Sequence, residues 1–161
     1  MDNVIKQITE SKIFTRGLIL PITSDHSFSH WQRVEKIGLK IADQNGADKE
    51  LISLFAYLHD ARRETENTDN NHGKRAVILL NELIKDKLIN ISGEKYQKLS
   101  YALANHTGDR VQSDDLTVRT CWDADRLDLW RVGKIPDPQR LFTDYGKTQE
   151  MRDFAKNLNR Y

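Results

Sequence analysis

Leu51-Ile52-Ser53-Leu54-Phe55-Ala56-Tyr57-Leu58-His59-Asp60 is the stretch that decides the fold. Eight residues of mostly apolar character end in an imidazole and a carboxylate. Asp48 stands just before the run as a helix N-cap, so the run reads as a buried helix. The leucines, phenylalanine and tyrosine have an obvious task in a core. His59 and Asp60 do not. Buried polar groups are costly unless they are paired or bind a metal, so the two residues ask for partners elsewhere in the chain.

Bulk composition limits what those partners serve. The chain has 161 residues, 38% hydrophobic and 30% charged, which suits one domain with a real core and a charged surface. A net charge of +1 makes no general case for nucleic acid or membrane binding. No apolar stretch is long enough to span a bilayer. The first residues, Met1-Asp2-Asn3-Val4-Ile5-Lys6, carry an acid and lack the apolar centre of a signal peptide. One cysteine, Cys121, cannot form an internal disulfide. The expectation is a cytoplasmic protein.

Outward from the central run, helical patterns follow one another. Residues 3–16 predict a short helix, with Val4, Ile5 and Ile8 on one face. Residues 28–45 predict a longer one, with His30, Val34, Ile37 and Ile41 inward and Gly46 as its stop. Residues 61–71 are polar and read as a loop, a common place for function. Residues 72–88, 94–105 and 115–130 predict three further helices, then a short helix at 138–145 and a charged tail from 152. No sustained two-residue alternation and no repeat appear. The chain reads as a single all-α domain.

All five histidines fall at predicted helix ends: His26, His30, His59, His72 and His106. Any one alone would read as a cap or a solvated group. Asp123, Asp125 and Asp128 could likewise form a solvated acidic face paired with Arg119, Arg126 and Arg131. However, they share their helix with Cys121, Trp122, Ala124, Leu127 and Trp130, a packed environment in which three carboxylates repel unless a cation holds them.

Three elements in order resemble the HD superfamily of metal-dependent phosphohydrolases. His26-Ser27-Phe28-Ser29-His30-Trp31-Gln32-Arg33-Val34 looks like its opening H-x-x-x-H-x-x-R-V stretch. Tyr57-Leu58-His59-Asp60 resembles the naming motif. Ala124-Asp125-Arg126-Leu127 looks like the closing A-D-[RK]-L element. The resemblance implies an HD-like helical bundle over residues 1–161, with a motif-bearing core at about 26–130 and an extension at about 134–161. It also implies His30, His59, Asp60 and Asp125 as metal ligands. His72 and His106 match the extra histidines of dinuclear members, so two ions are expected. His30, His59 and Asp125 would hold the first, His72 and His106 the second, and Asp60 would bridge. The alternative is one ion, with His72 capping its helix and His106 binding phosphate.

The ligand types suit Mn, Fe, Co, Ni or Zn without choosing among them. A bound ion acidifies its water, and hydrolysis of a small phosphate ester, a nucleotide or related metabolite, is the implied reaction. Asp60, Arg62 and Arg63 are the expected catalytic residues, the two arginines standing at the mouth of the site to grip phosphate. Lys74, Arg75 and Arg126 are further phosphate candidates, although most single cations are solvated. His26, Arg33, Asp123 and Asp128 are candidates for a supporting shell or a phosphate contact. Cys121 reads as a small buried residue. One departure stands out. Several nucleotidase and guanosine-tetraphosphate hydrolase members place a catalytic Glu three residues after the motif Asp. Here that position is Arg63, with Glu64 next, which puts both those branches and a catalytic Glu64 in doubt. The Gly-Tyr-Pro element of the cyclic-di-GMP-degrading subgroup is missing. Two other readings compete: a non-catalytic HD domain that binds a nucleotide or partner protein, and a helical bundle with coincidental polar groups. The oligomeric state is left open.

Overall fold

The apolar run forms α4 (Lys49–Leu58), and every residue from Leu51 to Leu58 is buried. The Asp48 carboxylate starts it by accepting the amides of Glu50 at 2.9 Å and Leu51 at 3.3 Å. A helix that is apolar on all sides needs neighbours on all sides. Those neighbours are α1 (Asp2–Glu10), α3 (Phe28–Asn45), α5 (His72–Lys85), α6 (Gly93–Asn105) and α7 (Leu116–Leu127). The structure, a computed structural model, describes residues 1–108 and 111–159. Asp109, Arg110, Arg160 and Tyr161 lie outside the described residues.

The broadest packing is that of α3 on α4 and α7. Val34, Ile37 and Ile41 supply the apolar stripe, and His30 lies on the same buried face one turn before Val34. Gly46 ends α3 in the left-handed conformation with φ 76°, which a residue without Cβ adopts at no steric cost. Asp115 caps α7 by accepting the amides of Thr117 and Val118. The shared core of Ile37, Ile41, Phe55, Leu58, Leu80, Leu103 and Trp122 ties these helices together.

Among the described residues there are no strands, as expected for an all-α chain, and no helix is long and apolar enough to cross a membrane. Several boundaries differ from expectation. The helix expected at 3–16 breaks at Ser11, which is extended and whose Oγ caps a separate short α2 (Lys12–Thr15). The helix expected to reach Trp130 is α-helical only to Leu127 and tightens into a 3-10 turn at Asp128–Val132. The expected helix at 138–145 shrinks to a 3-10 turn at Pro138–Arg140. The charged tail instead contains α8 (Gln149–Asn157), which buries Met151 and Ala155 against α3 and α7.

Candidate metal centre

Five helix ends converge on one buried point. α3 contributes His30 from its first turn. α4 delivers His59 as its C-cap, with Asp60 in the turn that follows. α5 begins with His72, α6 ends at His106, and α7 carries Asp125 in its last turn. His30, His59, Asp60, His72 and His106 are all buried.

The cluster has two halves that share Asp60. In the first, His30 Nε2 lies 3.1 Å from His59 Nε2. Asp60 Oδ2 is 3.8 Å from His30 Nε2 and 3.7 Å from His59 Nε2. Asp125 Oδ1 is 3.4 Å and 3.7 Å from the same two nitrogens. In the second half, His72 Nε2 lies 2.8 Å from His106 Nε2. Asp60 Oδ1 is 3.1 Å from His72 Nε2 and 3.7 Å from His106 Nε2. One carboxylate thus turns a different oxygen to each histidine pair.

The opposite nitrogen of each ring fixes its tautomer. His59 Nδ1 donates to the carbonyl of Ala56 at 2.9 Å, His106 Nδ1 to that of Leu103 at 2.8 Å, and His72 Nδ1 to that of Asp69. His30 Nδ1 donates to Asp128 Oδ2 at 2.7 Å. Phe55 stacks on the His59 ring with centroids 5.0 Å apart. The Nε2 lone pairs therefore point inward in two close pairs, beside carboxylate oxygens. Such a concentration of acceptors repels itself unless a cation or protons lie between them. The donor set of imidazole nitrogen and carboxylate oxygen, each imidazole braced by a second hydrogen bond, fits divalent transition metals.

The electrostatics follow the same logic. Burial drives His59 down to about 3, so it is neutral near pH 7. Burial also acts to lower His30, but the carboxylates of Asp125 and Asp128 outweigh it and raise its pKa. His106 is raised against burial by Asp60. Asp60 is held well below the usual carboxylate range, because the surrounding imidazoles outweigh the penalty of its burial. In each histidine pair, then, neighbouring carboxylates favour the protonated form of one ring, His30 or His106.

The supporting groups divide. His26 Nδ1 donates to Asp60 Oδ2 at 2.7 Å. Arg33 Nε donates to Asp128 Oδ1 at 2.8 Å, so Arg33, Asp128 and His30 form one chain of contacts. Arg63 Nη1 lies 3.8 Å from Asp60 Oδ1, while Nε and Nη2 donate to the carbonyls of Thr65 and Asn67. Arg126 borders the centre beside Asp125, donating to the carbonyls of Arg140 and Gly108.

Other expected phosphate contacts point elsewhere. Arg62 turns away from the mouth, because its guanidinium donates to the carbonyls of Ile13 and Phe14 and ties down the end of α2. Lys74 is exposed on the outer side of α5. Arg75 pairs with Asp69 and donates to the carbonyl of Arg62, which closes the 61–71 loop. Asp123 faces the C-terminal segment, where it accepts the amides of Phe142 and Thr143 and the Thr143 hydroxyl. Glu64 is on the exposed side of that loop, 3.4 Å from Arg75.

Two participants, Asn159 and Asp69, lie beyond sequence reasoning, and a third, Arg131, was expected only as a partner of the acidic cluster. Asn159 donates to Asp128 Oδ1 at 2.9 Å from the far end of the chain. Arg131 donates to the carbonyls of Asp25 and Asp128, bracing the His26 turn against the 3-10 segment. Asp69 supplies the carbonyl that orients His72. The only signal for Asp69 was its place three residues before a helix-starting histidine, and nothing in the spacing marks Asn159.

None of the curated proteins compared with the chain matches it. A crystal structure of a predicted HD superfamily hydrolase from an uncultured Thermotogales bacterium has the same fold. Its TM-score is 0.66 at 22% identity, over 98% of this chain and 85% of that one. The family model for the HD domain matches residues 27–130, the span that holds every histidine of the cluster. The chain belongs to the HD-domain family.

Proposed function

We propose that the protein is a metal-dependent phosphohydrolase acting on the phosphate ester of a small molecule. The observation that carries this reading is the division of Asp60, with Oδ2 toward His30 and His59 and Oδ1 toward His72 and His106. On this reading His30, His59 and Asp125 would hold one divalent ion, His72 and His106 would hold a second, and Asp60 would serve both. Bound ions of this kind supply Lewis acidity, bringing the pKa of water toward neutrality and withdrawing charge from phosphoryl oxygens. The chain's own groups act around them. Asp128 and the backbone carbonyls hold the imidazoles in place. Arg63 adds positive charge beside Asp60, where a phosphoryl group gathers negative charge during attack by water. His26 braces Asp60 through its Nδ1–H.

The test combines metal content with turnover. Purified protein is loaded with Mn, Fe, Co, Ni or Zn and offered phosphomonoesters, phosphodiesters and nucleotides. Phosphate or alcohol release, lost in His59→Ala, is expected. Asp60→Asn impairs retention of both ions, whereas His72→Ala loses one. Inactivity of the metal-loaded protein across the whole panel would reject the reading in favour of a non-catalytic HD domain.

One observation favours a variant with a single ion. Arg63 Nη1 lies 3.4 Å from both ring nitrogens of His72, so a guanidinium already brings positive charge to the second half. One ion per chain, unchanged in His72→Ala, would select it.

A further inference from the structure

A cavity of about 440 Å³ opens beside the cluster, with Asp60, His26 and Arg63 at one end. Its volume is in the range of small-ligand sites. The remainder of its wall is mostly carbon. Phe14 and Trp31 meet edge to face, with centroids 5.7 Å apart, and Phe28 packs against Trp31. Leu18, Ile19 and Ile22 form the rim, respectively 40%, 61% and 83% exposed. Apolar side chains grouped in water beside a polar centre mark a surface that a ligand covers.

The two hydroxyl groups of that wall already spend their protons on backbone carbonyls. Thr9 Oγ1 donates to the carbonyl of Ile5 at 3.0 Å, and Ser27 Oγ to that of Ile22 at 2.6 Å. Glu10 contributes a negative charge, 3.9 Å from Lys6. Among the described lining residues, Arg63 is the one Arg or Lys, and it stands at the cluster end. The indole N–H of Trp31 is the one buried side-chain polar atom of the wall without a partner. A second cavity, of about 240 Å³, reaches Asp125 and His106, but Arg126, Asp137 and Arg140 make it polar.

We infer that the larger cavity takes the non-phosphate part of the substrate and that this part is apolar, an aryl or short alkyl group rather than a nucleoside. The inference rests on the phosphohydrolase reading. A nucleoside placed there would set most of its hydroxyls and base edge against carbon, with Glu10 the one charged acceptor away from the cluster, and buried polar groups without partners are costly. A second phosphate further along the cavity would find Glu10 and no cation. A ring or alkyl chain would instead cover the rim and ask for no polar partner.

Two phosphonates test this, since their carbon–phosphorus bond resists hydrolysis. Calorimetry on the metal-loaded full chain compares benzylphosphonate with 2-hydroxyethylphosphonate. Burial of the ring is expected to make benzylphosphonate bind about ten-fold tighter or better. Leu18→Asp and Ile22→Asp should bring the two affinities together. Ile22 is so exposed that its replacement leaves the fold intact, which circular dichroism checks. Ile78→Asp, on the exposed side of α5 and outside the cavity, should keep the difference. Equal affinities in the parent protein, or a difference that survives Ile22→Asp, would overturn the cavity inference and leave the phosphohydrolase reading standing. Binding of neither phosphonate would overturn both.

Discussion

Asp128 holds the Nδ1 of His30 at 2.7 Å across 98 residues of chain. That contact leaves His30 Nε2 facing His59, and Arg33 and Asn159 in turn hold the second carboxylate oxygen. Burial penalises the Asp128 carboxylate, yet hydrogen bonds from His30, Arg33 and Asn159 bring its pKa below the ordinary value. Asp128 therefore stays ionised and keeps the imidazole in one tautomer.

Asp128→Asn keeps the shape and removes the charge. Retention of the ion at the first half of the cluster should weaken by about 10- to 100-fold, the usual effect of losing such an outer partner. Competition with a chelator, read by metal analysis, checks it. Unchanged retention would mean that His30 is oriented without Asp128.

Asp123 belongs to a different task, although it lies two residues from Asp125. It is fully buried and accepts three hydrogen bonds from the Phe142–Thr143 turn. Burial raises its pKa, and the Thr143 and Phe142 donors work against that rise. Asp123→Ala leaves those two amides without their acceptor. Unpaired buried groups of this kind cost about 1–3 kcal/mol each, so stability should fall by roughly 3 kcal/mol. Urea denaturation measures the loss, and early proteolytic cleavage near Phe142 is expected beside it.

These two aspartates show how far the sequence could be read. The helices around the central run were legible because their apolar faces repeat at helical spacing, as with Val34, Ile37 and Ile41. That His30, His59, Asp60 and Asp125 belong together was legible through the three motifs that resemble the HD superfamily, whereas the cost of burying imidazole and carboxylate said only that His59 and Asp60 need a partner. Direction was harder to read. Arg62 and Arg63 are adjacent, yet one turns to the carbonyls of Ile13 and Phe14 and the other stays beside Asp60. Asp123 and Asp128 differ for the same reason: position on the helix, rather than charge, decides which neighbour each meets. α8 was missed because it buries little beyond Met151 and Ala155, too few residues to stand out in a charged tail.

Asp48 gives a pH dependence away from the cluster. Its carboxylate caps α4 and lies 3.0 Å from Lys95. Burial acts to raise its pKa, but Lys95 and the amides of Leu51 and Glu50 outweigh burial and lower it. A depressed folded-state pKa contributes stability above the unfolded pKa and loses it as pH falls through the folded one. Asp48→Ala should cost about 1 kcal/mol at neutral pH. The gap between parent and variant should narrow as pH drops below the ordinary carboxylate range. Denaturation midpoints of both proteins from pH 7 to pH 3 check this. A gap that is constant with pH would show that the cap acts without its charge.

Gly73 sets the spacing of the second histidine pair. A Cβ at this position would lie 2.5 Å from the Leu103 carbonyl oxygen. That oxygen also accepts the Nδ1–H of His106. The absence of a side chain thus lets the start of α5 close on the end of α6, bringing His72 Nε2 within 2.8 Å of His106 Nε2. In Gly73→Ala the two helix ends must separate, at a cost of about 1–3 kcal/mol for overpacking. His72 retreats from His106 while His30, His59 and Asp125, on other helices, stay where they are. On the two-ion reading, the metal-to-protein ratio should fall from two toward one. Metal analysis after dialysis, alongside a denaturation curve, separates this from general unfolding, which would release both ions together. A ratio that stays at two would mean that α5 can yield without opening the pair.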